Sequence, residues 1–282
     1  MKIAVVGLGL IGGSFCKSIK KYTDHRVFGI DRDPDTVKDA LACGAIEEEI
    51  LPARLKEMDL TIVCLHPRQT MAFIEEHADK FRTGSLVIDS CGVKESIVQS
   101  ATVPLAARGV TFVGCHPMAG REFSGFAYSL DSLYENASFI ITPTSETPSE
   151  AVDFLTKFAK KFQFGKVVTA TPLEHDRVIA FPSQLAHVVS SAYIKSPSLE
   201  QEVGFSAGSF LDLTRVAKLN EDMWTDLFLL NRGPLVEELD TIIRNLTDYR
   251  DAIDSGAHDQ LKAMLRDGRI RKEESLKKGK SK

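Results

Sequence analysis

From the N-terminus onward, short apolar runs alternate with longer amphipathic ones. The runs at residues 2–6, 26–30, 60–64, 86–89, 111–113, 138–142 and 166–169 have the length and β-branched character of buried strands. Between most of them lie stretches with apolar residues at helical spacing, such as 12–21, 34–43, 68–80 and 149–162. This alternation predicts parallel pairing through right-handed crossovers, hence an α/β doubly wound parallel sheet over residues 1–170. Beyond that point the period changes. Residues 176–194, 205–216, 221–245 and 248–266 keep helical spacing with no strand among them. They predict an all-helical second domain, 171–270, with its long middle helix as a dimer interface. Residues 271–282 are lysine-rich and are expected to form a frayed tail.

Composition narrows the class. A net charge of -4 gives no general attraction to nucleic acid or to an anionic membrane surface. No uninterrupted apolar stretch reaches the roughly 18 residues of a membrane span. Met1-Lys2 leads straight into a strand, leaving no room for a leader peptide, so a cytoplasmic location is expected. The five cysteines are odd in number and widely spaced, which reads as reduced thiols and not as a disulfide frame or metal site.

Gly7-Leu8-Gly9-Leu10-Ile11-Gly12 is a GxGxxG sequence between the first strand and the first helix. Gly7 permits the tight turn, Gly9 lets backbone approach a pyrophosphate, and Gly12 allows close helix–strand packing. The helix N-terminus, including Leu10 and Ile11, offers unpaired N–H groups to the phosphates. An acid, Asp31, ends the second strand. Its carboxylate suits ribose hydroxyls and disfavours a 2′-phosphate, which points to NAD; Arg32 beside it keeps NADP open. The first domain is therefore expected to be Rossmann-type.

His116 follows the fifth strand, at the end of the sheet where the nicotinamide belongs in such a fold. A histidine there suits proton removal from an alcohol as hydride leaves, because its pKa lies near working pH. A packing or hydrogen-bonding role is the alternative.

The surrounding segment, Gly114-Cys115-His116-Pro117-Met118-Ala119-Gly120-Arg121-Glu122-Phe123-Ser124-Gly125, closely resembles the signature of the prephenate dehydrogenase family. Further resemblance lies in Asp89-Ser90-Cys91-Gly92-Val93-Lys94, His175-Asp176, Ser183-Gln184-Leu185-Ala186-His187 and residues 208–215. The resemblance implies oxidative decarboxylation of prephenate, or of its amino analogue arogenate, on the way to tyrosine. It implies His116 as acceptor for the ring-hydroxyl proton and Arg215 as holder of a substrate carboxylate. His187 and Gly208 would lie in the substrate pocket, with Ser124 and Trp224 beside it. No metal is implied.

Two departures from the family pattern stand out. Many members carry serine where Gly92 stands, hydrogen-bonded to the catalytic histidine, which leaves Ser90, Ser124 or a water as candidates to orient His116. Many also carry histidine at the position of Gln184 and proline at that of Ala186, which puts substrate selection in question. Taken on the residues alone, His175 and Asp176 fit a helix start with Asp176 as a cap. On a regular helix His187 would project about 120° from His175. Lys94 reads as a solvated lysine or as an anion contact. The competing functions are a hydroxyacid dehydrogenase with a lysine base and a non-catalytic NAD-binding protein.

Overall fold

The computed structural model describes residues 1–280. β1 (Lys2–Val6) leads through α1 (Leu10–Tyr22) to β2 (Arg26–Ile30), and α2 (Pro34–Ala42) leads to the two-residue β3 (Glu48–Glu49). Then follow β4 (Leu60–Val63), α3 (Pro67–His77), β5 (Leu86–Asp89), α4 (Glu95–Ala106) and β6 (Thr111–Pro117). β7 (Ser138–Thr142), α5 (Ser149–Lys161) and β8 (Lys166–Thr169) close the sheet, whose order is β3-β2-β1-β4-β5-β6-β7-β8. The strands are apolar on both faces because helices cover both. Along β1, Ile3 and Val5 join Phe15 and Phe158 in one core, while Ala4 and Val6 join Ile97 and Leu105 in the other.

The sheet is doubly wound and mostly parallel, as expected, with one antiparallel pair that the strand–helix alternation does not signal. β7 runs antiparallel to β6. The connection between them carries one short turn of helix, Phe126–Tyr128, and no crossover helix, so the chain returns in the opposite direction. β7 also lengthens β6 beyond the expected end at 113: His116 pairs with Ile140 inside the strand.

Past β8 the chain is helical. α6 (Pro172–Ile179), a wide π turn (Ala180–Leu185) and α7 (Ala186–Tyr193) run on from one another, followed by α8 (Gly208–Thr214) and α9 (Glu221–Leu230). α10 (Arg232–Asp254) and α11 (His258–Lys280) complete the described chain. The expected helices 221–245 and 248–266 are cut elsewhere, at Asn231 and at 255–257. The buried Asn231 amide donates to the Asp176 carbonyl at 2.8 Å and to Gln184 Oε1 at 2.7 Å, which holds the chain in a break. Gly256, at φ 64°, ends α10. The expected frayed tail is helical through Lys280, with Asp267–Arg271 and Arg269–Glu273 pairs at 2.7 and 2.5 Å in the turns that lead into it; residues 281 and 282 lie outside the described chain.

By contact density the chain divides into Met1–Arg232 and Gly233–Lys282. Helices α6 to α9 thus belong with the sheet, to which the buried polar groups described below tie them. Among the described residues no helix is long and apolar enough to cross a membrane.

Candidate active site

The glycine loop joins β1 to α1 at the point where strand order reverses, between β1 and β4. Gly7 sits at φ +86°, and its N–H donates to the Ile30 carbonyl at 2.8 Å. A Cβ at Gly12 would fall 1.8 Å from the Gly7 carbonyl oxygen, whereas one at Gly9 would meet nothing within 4 Å. Backbone therefore fills the space beside Gly12, and open space lies beside Gly9. The first turn of α1, with Leu10 and Ile11, has neither a side-chain cap nor an acidic residue, so its N–H groups are available to an anion. Asp31 borders the same loop. Its Oδ2 accepts from the Leu8 N–H at 2.6 Å and its Oδ1 from the Asp33 N–H at 3.0 Å, while Arg32 is exposed.

His116 is half-buried near the end of β6. Its Nδ1 lies 2.9 Å from Nε2 of the buried His175, whose Nδ1 lies 2.7 Å from Asp176 Oδ1. Asp176 also caps the next layer: Oδ1 accepts from the Lys94 N–H at 2.7 Å and Oδ2 from the Glu95 N–H at 2.9 Å, at the start of α4. Its role as a helix cap therefore falls on α4, across the fold from its own helix. Burial holds both imidazoles below their ordinary pKa, for His116 well below, with the Lys94 charge adding to the effect there. Asp176 partly offsets the shift at His175.

Lys94 is not the solvated lysine of one reading; the anion it contacts is a carboxylate of the chain itself. It is fully buried, its ammonium paired with Asp89 Oδ2 and donating to the Cys115 carbonyl at 2.7 Å. Asp89 in turn accepts from the Cys91 and Cys115 N–H groups at 2.9 and 3.1 Å. The pair clamps the ends of β5 and β6 together, one residue before His116.

The side-chain partner of His116 is neither of the two serines expected. Neither Ser90 nor Ser124 holds its ring; His175 does. A Cβ at Gly92 would lie 3.8 Å from His116 Nε2, so the position that many family members fill with serine faces the other ring nitrogen. Gln184 is equally far from its expected use. Its amide donates to the Leu227 carbonyl at 3.2 Å and accepts from Asn231, so both ends are spent inside the fold. No local spacing in the sequence signals these pairings, since their members come from distant segments.

The remaining candidates form a rim. Trp224 on α9 stacks on His187 at 3.7 Å, and His187 Nδ1–H donates to the Ser183 carbonyl at 2.9 Å. The π turn takes one extra residue, which turns His187 back to about 20° from His175 instead of 120°. Burial lowers the His187 pKa, and the nearby Arg215 charge lowers it further. Arg215 pairs with Glu122 at 3.1 Å in an exposed setting, and Glu122 lies six residues past His116. Leu227, one turn along α9 from Trp224, would lie 3.4 Å from a Cβ at Gly92. Gly92 thus lies between His116 and Leu227 of α9, and the same helix carries Trp224 to His187. Gly208 opens α8 with free space beside its Cα, and Ser124 lies in the exposed loop after β6.

Other features carry less chemistry. All five cysteines are free, and burial pushes the thiols of Cys16, Cys64, Cys91 and Cys115 up, away from the thiolate a nucleophile needs. A groove of about 380 Å³ beside α1 is lined by Lys17 and Lys20, but these already bind the Ser129 carbonyl and Glu47.

The family model for the nucleotide-binding domain of prephenate dehydrogenase matches residues 15–169, and that for its dimerization domain matches residues 171–267. The chain belongs to the prephenate dehydrogenase family. It is 33% identical over 257 residues to the prephenate dehydrogenase of Bacillus subtilis (strain 168), covering 88% of this chain and 69% of that one. It is 29% identical over 269 residues to the cyclohexadienyl dehydrogenase of Zymomonas mobilis, covering 92% and 90%. Among solved structures it is similar to prephenate dehydrogenase from A. aeolicus in complex with hydroxyphenyl propionate and NAD+. That match has a TM-score of 0.87 at 28% identity, over 97% of this chain and 98% of that one. A 3-hydroxyisobutyrate dehydrogenase from Salmonella typhimurium shares the fold alone, at 14% identity and a TM-score of 0.56.

Proposed function

We propose that this family member oxidises and decarboxylates prephenate to 4-hydroxyphenylpyruvate with hydride passing to NAD, on the route to tyrosine. One observation carries the reading: His116 has Nδ1 engaged by His175, which leaves Nε2, on the side of Gly92, to meet a substrate. The residues of the glycine loop fit a dinucleotide, through open space at Gly9, the uncapped start of α1 at Leu10, Ile11 and Gly12, and the Asp31 carboxylate. That carboxylate disfavours a 2′-phosphate and Arg32 opposes it, so NADP is the cofactor to test beside NAD. NAD, when bound, supplies the hydride acceptor.

The chain's own residues do the rest. His116 Nε2 takes the proton of the C4 hydroxyl as hydride departs from C4, leaving a ketone-like centre conjugated through the ring. The C1–carboxylate bond then breaks, its electron pair enters the ring, CO2 leaves, and the oxygen at C4 recovers a proton as a phenol. Aromatisation drives the step, so alignment is the main demand on the protein. Arg215 meets that demand by holding a carboxylate of the dianionic substrate through its planar fork, giving up Glu122 to do so. His187, Gly208 and Ser124 complete the pocket, with Trp224 as its apolar wall.

Arg215→Ala is expected to raise KM far more than it lowers kcat, at a cost of roughly 2–4 kcal/mol of binding. Steady-state kinetics with an unchanged KM would remove Arg215 from the substrate site. The test of the reaction itself is NADH or NADPH formation from prephenate and from arogenate, each with NAD and NADP. The highest kcat/KM is expected for prephenate with NAD. A higher value with arogenate reassigns the substrate, and no turnover with either overturns the reading in favour of NAD binding alone.

We also propose a homodimer. Val236, Ile243, Leu246 and Ile253 form a stripe at heptad spacing along α10, each more than half exposed. Light scattering giving the mass of a single chain would reject it. A cytoplasmic location fits the free cysteines.

A further inference from the structure

The imidazole chain behind His116 specifies which of its nitrogens holds the proton. Both oxygens of Asp176 face N–H donors, those of Lys94 and Glu95, at 2.7 and 2.9 Å. The carboxylate is therefore an acceptor, and the His175 Nδ1 beside it must carry the hydrogen. A neutral His175 protonated at Nδ1 has only a lone pair at Nε2. That lone pair can accept only from an Nδ1–H of His116, at 2.9 Å. The neutral ring of His116 then has its lone pair at Nε2, on the side of Gly92.

We propose that His175 is a positioning residue, held by Asp176, that fixes His116 in the tautomer with Nδ1 protonated and Nε2 free to receive the substrate's proton. The proposal rests on His116 being the proton acceptor of the reaction. It accounts for a polar pair buried at 2% and 1% exposure on α6, facing a strand 59 residues earlier in the chain. It also supplies an orienting group in a chain with glycine at position 92. A ring with no partner at Nδ1 would populate both tautomers, and the one protonated at Nε2 would be unable to act as base.

Two substitutions separate the proposed role from a structural one. His175→Asn places an amide where Nδ1 stands, so it keeps the bond to Asp176 but is too short to reach His116. His175→Gln reaches as far as Nε2 and offers His116 an acceptor oxygen. The Asn variant is expected to lose about 10- to 100-fold in kcat, with KM for prephenate and NAD affinity changed less than about threefold. The Gln variant should recover most of that loss. Wild-type kcat in the Asn variant overturns the proposal. So does an equal fall in both variants, or a loss in kcat accompanied by matching losses in KM, NAD affinity and melting temperature.

A second measurement needs no variant of His175. Long-range proton–nitrogen correlation on the intact protein, labelled in its seven histidines, reads each ring's tautomer directly. His116, assigned by its disappearance in His116→Asn, should show a protonated Nδ1 and an unprotonated Nε2. The reverse pattern overturns the tautomer assignment, whatever the kinetics show. Because this readout does not depend on turnover, it can fail while the proposed reaction stands, and the reverse.

Discussion

His116→Asn lowers kcat by about 10²–10⁴-fold while KM for prephenate changes little, the range for loss of a general base. The substitution is chosen for what it preserves. An asparagine amide at the position of Nδ1 can still donate to His175 Nε2, 2.9 Å away, so the wall of the site stays in place and only the Nε2 lone pair is lost. The wild-type protein carries a matching pH signature. A base must be unprotonated to work, so kcat/KM is low in acid and rises through the pKa of the free enzyme's base. Burial, reinforced by the Lys94 charge, depresses the His116 pKa well below its ordinary 6.5. The midpoint of the rise is therefore expected on the acid side of pH 6.5, and the rise is expected to vanish in the Asn variant. Near-normal turnover in His116→Asn, measured by NADH formation, would remove this residue from the chemistry.

Lys94→Ala should be the most damaging single change to stability. It leaves the Asp89 carboxylate, 1% exposed, with two backbone N–H donors and no cation. Breaking a buried pair from one side costs about 3–5 kcal/mol, because the remaining charge keeps its desolvation penalty and loses its partner. For a cooperative unit of this size that corresponds to roughly 6–20 °C in melting temperature. The loss also frees the Cys115 carbonyl, immediately before His116, so residual activity should fall more steeply with temperature than in the wild type. The control is Asp89→Asn combined with Lys94→Met, which removes both charges and is expected to cost less than the sum of the single changes. Calorimetry showing Lys94→Ala within about 1 kcal/mol of wild type would mean that the pair contributes little to folding.

The contrast between Lys94 and His116 illustrates what a sequence carries. His116 sits in a contiguous segment whose residue types and order suggest its role before any coordinates exist. Lys94 sits in a comparable segment, yet a lysine at a helix start reads as solvated, because almost every such lysine is. Only the approach of Asp89, from the end of the preceding strand, and of the Cys115 carbonyl, from the next one, reverses that reading. Gln184 is a parallel case: its departure from the family pattern suggests altered substrate selection, whereas its amide is occupied by Asn231 and the Leu227 carbonyl. The helix boundary near 231 differs: Asn231-Arg232-Gly233-Pro234 does carry local stop signals, and the buried amide bonds of Asn231 across the fold fix the break there.

By itself, the sequence determined the strand–helix alternation, the glycine loop with its acid at the end of β2, the change to helices after β8, and the segment around His116. Each of these depends on periodicity or on neighbours within a few residues, and such short-range relations are written in the order of the residues. Tertiary structure alone decided the reversal of β7, the π turn that swings His187 toward the side of His175, the buried Lys94–Asp89 pair, and the succession Asp176, His175, His116. Those depend on groups tens of residues apart meeting at hydrogen-bond distance, and the energy that selects them, the avoided cost of leaving a buried polar group unpartnered, exists only once the chain has excluded water around them.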